Sequence, residues 1–220
     1  LGMNFSQAKN EVVFLAEAED VQESLKREGT PIDSYIVYPT NGIFNDQAQV
    51  DATEAKLTGT QEGDIFYTDT NGDGVINAQD RIRVGTSNIP QIQYGIFGGI
   101  NYKNFGLNFL FQGQAKAETL VFFDQSGAKP EFVFNQRWTP SNRNASFPRA
   151  FPQGDGINGN QNGNVEVFQG ADLWLQDASF VRLKEIELGY TLTKDITKIG
   201  DIRLFAVSYT HLTLPTTPYV

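Results

Sequence analysis

Residues 91–114 run QIQYGIFGGINYKNFGLNFLFQGQ, and their alternation decides the fold class. Ile92, Tyr94, Ile96, Gly98, Ile100 and Tyr102 share one face; Gln91, Gln93, Gly95, Phe97, Gly99 and Asn101 share the other, a period of two. After Lys103 and Asn104, the apolar series Phe105, Leu107, Phe109 and Phe111 alternates with Gly106, Asn108, Leu110 and Gln112. The pattern predicts an antiparallel hairpin with a two-residue turn and strands of about 10–12 residues, against a usual length of about 5–6. That length suits a strand crossing a bilayer, which needs about 9–11 tilted residues. Tyr94, Tyr102 and Phe105 fall near strand ends, where aromatic girdles meet a membrane interface, and Gln, Asn and Gly suit a wet lumen. Amphipathic hairpins of soluble barrels share the period; strand length and the polar inner face favour the membrane.

Working outward, Ile186, Leu188, Tyr190 and Leu192 oppose Glu185, Glu187, Gly189 and Thr191, while Val181 and Leu183 sit in the other parity. A bulge near Lys184 reconciles the two registers. Ile202, Leu204 and Ala206 form the outward side of the next strand, and Leu1, Met3 and Phe5 that of a strand at the start. The fold expected is therefore all-β, about five strands of a large antiparallel transmembrane barrel. The connections alternate: about 80 residues, a two-residue turn, about 60 residues, then about eight, the asymmetry of outer-membrane barrels with two long extracellular loops. Five strands cannot close in lipid, so the rest of the barrel is expected from sequence beyond this stretch, and Leu1, entering directly into a strand, suggests that the N-terminus lies upstream. From Val207 the text VSYTHLTLPTTPYV abandons the pattern and resembles translated sequencing-adapter read-through; residues 207–220 are set apart as a non-native tail, and the fold reading covers 1–206.

The 220 residues include 21 Gly, 17 Phe and 8 Tyr against a single Met, a mix of strand and turn formers. A net charge of -9 without a basic stripe argues against nucleic acid as a partner. With no cysteine there is neither a disulfide framework nor a thiolate metal site. The acidic stretch 17–28 fits a short helix or a solvated charge run, the latter preferred, and GDGINGNQNGN at 154–164 is a loop tip.

The sharpest motif is DTNGDGVINAQD, residues 69–80. Asp69, Asn71, Asp73, Asn77 and Asp80 place side-chain oxygens at loop positions 1, 3, 5, 9 and 12, Val75 offers its carbonyl at position 7, and Gly74 supplies the sharp turn at position 6. Calcium, a hard cation taking about 6–8 oxygens, fits that spacing, with Ile76 free to anchor the loop to a core. The alternative is an Asp/Asn/Gly turn holding no metal. Asp80 stands where a longer Glu usually gives the bidentate arm, which moves the expected affinity towards the weak extracellular range and makes the metal structural, not signalling.

Catalytic constellations are missing, and we expect no enzyme. The single histidine, His211, lies in the suspect tail. Glu185 and Glu187 could be taken as a glycosidase pair, yet their alternation on a strand fits a polar lumen face better. Trp138 and Trp174 could stack on a sugar; anchoring of loops is the preferred reading.

The run from Gly63 to Gln114, with its D-x-N-x-D-G loop, its Gly-Thr-Ser-Asn-Ile-Pro segment and its hairpin, resembles the SusC/RagA group of TonB-dependent outer-membrane proteins. Arg137-Trp138-Thr139-Pro140 resembles that group's extracellular RWTP segment, LQDASFVRLKEIELGYTL at 175–192 its late-strand signature, and residues 202–206 the start of the following strand. The resemblance implies a 22-stranded plugged barrel in the bacterial outer membrane, energised through TonB by regions outside this chain and capped by a SusD-like lipoprotein that helps capture oligosaccharides or peptides. The rival reading from another class is a secreted, calcium-dependent, all-β carbohydrate-binding module.

Overall fold

The computed structural model describes residues 1–121, 130–150, 165–209 and 212–215, the last four and Val165 through the backbone alone. The loop tip assigned to 154–164 lies outside the described residues. The chain divides into two compact units, a sheet built from Leu1–Lys9, Asn88–Glu118 and Asp177–Tyr219, and a body built from Asn10–Ser87 and Thr119–Gln176.

In the sheet, β1 (Gly2–Gln7), β2 (Ile92–Tyr102), β3 (Phe105–Ala115), β4 (Phe180–Leu192) and β5 (Ile202–Ser208) lie side by side in chain order, each antiparallel to the next. A short strand, β6 (Leu212–Pro215), pairs with Phe180–Leu183 at the start of β4. The expected hairpin is present: Tyr102 faces Phe105 across a two-residue turn in which Lys103 takes a positive φ of 52°. The expected bulge is present too, since Leu183 pairs with Phe111 and Glu185 with Leu110, leaving Lys184 as the extra residue. β5 continues through Val207 and Ser208, two residues beyond the point where the sequence pattern breaks.

These registers put the apolar series of all five strands on one face. Phe5 faces Tyr94 and Met3 faces Ile96; Ile96, Gly98 and Ile100 face Phe111, Phe109 and Leu107; these face Leu183, Ile186 and Leu188, and Leu188 and Tyr190 face Ala206 and Leu204. Many of these side chains are exposed, among them Met3, Ile100, Leu188 and Leu204. At one end Tyr102, Phe105 and Tyr190 gather, with the Phe105 and Tyr190 rings 4.7 Å apart. Near the other end Tyr94 lies over Gly113, where a Cβ would stand 2.3 Å from the ring. Tyr94 and Tyr102 are eight residues apart, roughly 26 Å along the strand, or about 20 Å of height at a barrel tilt of about 40°, within an apolar band about 25 Å tall.

On the opposite face Glu187 receives Arg203 at 2.5 Å and the Asn108 amide at 3.3 Å, a polar network suited to water. Glu185 and Glu187 thus sit on a polar strand face, as their alternation indicated. The Arg203 guanidinium lies across Gly189, which leaves room for it.

The body is what the sequence reading did not foresee. The two long connections fold together around a shared core: Tyr38, Ile65, Tyr67 and Ile76 from the first pack with Phe147, Val167, Phe168, Ala171 and Trp174 from the second. Ser34–Val37 pairs with Ile82–Ser87 and Thr40–Ile43 with Ile65–Tyr67, both antiparallel, and Tyr38 bridges to Ala171 of the second connection. The Gln47–Ala52 helix is capped by Asp46, whose carboxylate accepts the Gln49 N–H at 2.9 Å. In the acidic stretch only Glu23–Leu25 is helical, a single 3-10 turn with no buried residue, in keeping with a solvated element.

One core group stands out. The Tyr67 ring is buried, but its hydroxyl has no hydrogen-bond partner among the described residues, and burial pushes its phenol pKa up. A buried hydroxyl without a partner costs about 1–3 kcal/mol of lost hydration. Tyr67→Phe is therefore expected to raise the stability of the body by about 1 kcal/mol, read as a higher melting temperature of tryptophan fluorescence.

Candidate functional site

The Asp69–Asp80 loop is shaped by its own side chains. Asp69 accepts the N–H of Gly72 at 2.7 Å and of Gly74 at 2.8 Å through its two oxygens. Asn71 accepts the Asp73 N–H at 2.9 Å, and Asp73 the Val75 N–H at 2.8 Å. Gly72 and Gly74 take φ of 74° and 81°, the left-handed region in which a side chain is strained, so Gly74 performs the turn assigned to it. Asn77 caps the Ala78–Asp80 turn, accepting the Gln79 N–H at 2.8 Å, while Asp80 returns to accept the Asn77 N–H at 2.8 Å, a reciprocal capping box.

Asp80 is fully buried and its other oxygen accepts the Thr70 N–H at 2.9 Å, so the residue at loop position 12 clasps both ends of the loop. Ile76 is buried in the body core, the anchor expected of position 8. Asn71, Asp73 and Val75 remain exposed. The Gly74 N–H, then those of Gly72 and Asp73, hold the Asp69 carboxyl below the usual carboxylate range. Among the described residues, no group of three or more Asp, Glu, His or Cys converges as a ready metal cluster. The loop thus keeps Asn71 and Asp73 at its exposed rim, and turns the Asn77 amide onto the Val75 carbonyl at 3.3 Å.

The loop is supported by long-range contacts that spacing along the chain could not reveal. Ser24 donates to the Arg81 carbonyl at 2.9 Å, and Arg83 donates to the carbonyls of Leu25 at 2.9 Å and Ser34 at 3.1 Å. Burial, then Arg27, lowers the pKa of the Arg83 guanidinium. Further along, fully buried Asp64 meets Arg149 at 2.8 Å, and Trp138 lies against Gly63, where a Cβ would come within 2.6 Å of the indole. Both tryptophans are anchors: Trp138 Nε1 donates to the Asn45 carbonyl at 3.2 Å and Trp174 Nε1 to the Phe168 carbonyl at 2.7 Å.

The chain is similar to known receptors and transporters. TonB-dependent receptor P3 of Formosa agariphila (strain DSM 15362 / KCTC 12365 / LMG 23005 / KMM 3901 / M-2Alg 35-1) is 26% identical over 234 residues, covering 98% of this chain and 22% of the receptor. The chain resembles a segment of a SusC/RagA-type TonB-dependent receptor. TonB-dependent receptor P26 of the same organism is 29% identical over 160 residues, covering 70% of the chain and 15% of that receptor. The structure of the RagAB peptide transporter aligns with a TM-score of 0.57 and 19% identity over 87% of this chain and 20% of its own. The RagAB peptide importer in its open-open state aligns with a TM-score of 0.55, again at 19% identity, over 98% of this chain and 23% of its own. No family model matches the chain. The chain therefore spans only 22% and 15% of the lengths of these two receptors. TonB-dependent receptors are outer-membrane proteins, and the outer membrane is the location of this segment.

Proposed function

We propose that the chain is a late stretch of the barrel of a TonB-dependent nutrient importer, with β1 to β5 as transmembrane strands of a larger closed barrel and residues 10–87 and 119–176 as its extracellular loops. The observation that carries this is the single apolar face shared by all five strands, exposed or half-buried along its length and bordered by aromatics near both ends. A transport role in place of catalysis agrees with relatives named as receptors and transporters. Oligosaccharides or peptides are the cargo, and the RagAB names favour peptides. The folded body forms part of the docking surface for a SusD-like lipoprotein, and TonB engages the importer through regions outside this stretch.

The test contrasts the two sheet faces. Ile186→Arg, in the middle of the apolar face, is expected to cost about 2–4 kcal/mol and to remove most of the heat-modifiable, folded protein from outer membranes. Asn108→Arg, on the polar face beside Glu187, is expected to leave folded protein near its normal level. Equal tolerance of both, with a protein soluble without detergent, would favour the secreted module instead.

The loop 69–80 is proposed to hold one structural calcium through Asp69, Asn71, Asp73, the Val75 carbonyl, Asn77 and Asp80. The turn at Gly74 and the burial of Ile76 in the core, at the loop positions where a calcium loop needs them, support a cation there. When bound, calcium would offset the charge of the loop's carboxylates and fix its exposed rim in one conformation. Calorimetry should give a dissociation constant of about 10⁻⁴–10⁻³ M, weakened by Asp73→Ala roughly tenfold or more; unchanged affinity in that variant would remove calcium from the proposal.

A further inference from the structure

We propose that Asn41 is a site of spontaneous covalent modification, at which the backbone nitrogen of Gly42 closes on the side-chain amide and converts the residue to aspartate or isoaspartate. Asparagine followed by glycine is the pair most open to this reaction, because glycine has no Cβ to hinder the approach of its nitrogen. Among the described residues the pair occurs at Asn41-Gly42 and at Asn71-Gly72. Both asparagines are exposed, both glycines take a left-handed φ, 90° and 74°, and a Cβ built on either glycine would meet nothing within 4 Å. Sequence and space therefore make the two sites equal, and hydrogen bonding separates them.

At Asn71 the reacting groups are held. The Gly72 N–H donates to the Asp69 carboxylate at 2.7 Å, Asn71 Oδ1 accepts the Asp73 N–H at 2.9 Å, and Asn71 Nδ2 donates to the Asp73 carboxylate at 2.9 Å. The Gly72 nitrogen has to leave a charged acceptor, and the Asn71 amide has to swing out of two bonds, before they can meet. The Asn41 side chain makes no hydrogen bond among the described residues. Its backbone also leaves the regular ladder: Thr40 pairs with Tyr67 and Ile43 with Ile65, so Asn41 and Gly42 together stand against the single residue Phe66, a bulge.

The chemistry needs only water. The Gly42 nitrogen bonds to Asn41 Cγ and gives up its proton, Nδ2 leaves as ammonia, and the cyclic imide takes up one water at either carbonyl to open as aspartate or isoaspartate. The reaction is intramolecular, so no partner and no other part of the receptor has to reach the site. Isoaspartate inserts a methylene into the main chain between Thr40, whose hydroxyl is 2.5 Å from the Asp172 carboxylate, and the buried Ile43 and Phe44.

The experiment incubates the whole receptor carrying this segment at neutral pH, folded in detergent and in parallel unfolded in urea, and follows the amide-to-acid mass gain in tryptic peptides. Cleavage after Arg27, Lys56 and Arg81 places Asn41 on residues 28–56 and Asn71 on residues 57–81, and fragmentation assigns the residue. In urea the two asparagines are expected to convert at similar rates. In the folded receptor Asn41 is expected to convert about tenfold or more faster than Asn71, the ratio that one charge-assisted hydrogen bond imposes on a rate. Asn41→Gln should leave residues 28–56 unshifted. Equal rates in the folded receptor, faster conversion at Asn71, an Asn41 that stays intact while the unfolded chain converts, or a mass gain that persists in Asn41→Gln would overturn the proposal. It rests on residues 40–43 and 69–73 alone, so it stands or falls apart from the importer reading.

Discussion

Replacing Trp174 by Ala is expected to cost the body about 3–5 kcal/mol, the usual result of emptying an aromatic site in a packed core. Trp174 is 4% exposed, its ring lies 5.4 Å from Phe168 and 6.4 Å from Phe147, and its indole N–H is spent on the Phe168 carbonyl. The residue joins two stretches of the second connection to the core that Tyr38, Ile65 and Tyr67 bring from the first. The two tryptophans of the chain are both in the body, so Trp138 remains as the reporter in the variant. A melting transition of Trp138 fluorescence lowered by many degrees, with heat-modifiable migration of the barrel retained, is the expected outcome. A transition within a degree or two of the parent would mean that the body is not held by this core.

The second large effect is expected at Asp64. Asp64 is fully buried, accepts the Gln61 N–H at 2.9 Å and pairs with Arg149 at 2.8 Å, and the Arg149 side chain is itself only 17% exposed. One guanidinium nitrogen of Arg149, Nη2, already lacks a hydrogen-bond partner among the described residues. Asp64→Ala leaves a buried cation without its carboxylate, which costs about 3–5 kcal/mol, whereas removing both charges with Asp64→Ala and Arg149→Met should recover much of that loss. Tryptophan-detected melts of the two single variants and the double variant form the cycle that measures it. Additive losses would show that the pair does not act as a unit.

The sheet was legible residue by residue because a strand in a membrane sheet obeys local rules. Side chains alternate with period two, lipid demands one continuous apolar face, and a one-residue slip would turn that face inward. Hence the hairpin at Lys103-Asn104, the bulge at Lys184 and the outward set Ile202, Leu204 and Ala206 follow from short stretches of sequence and agree with the pairing. The loop 69–80 was legible for a similar reason, since its Asx bonds and glycine turns span only a few residues. The body was not. Arg149 lies 85 residues from Asp64, Trp138 lies 93 from Asn45, and their segments show no shared period to announce the contact.

By itself, then, the sequence determined the β class, the register of the apolar face and the internal geometry of the acidic loop, because each is governed by neighbours a few residues apart. Only the tertiary structure decided that the long connections make one packed body, that Asp80 is a buried clasp, and that the Tyr67 hydroxyl is buried without a partner among the described residues. Those outcomes depend on burial and on which distant groups the closed chain brings within a few ångströms, and no local pattern encodes that distance.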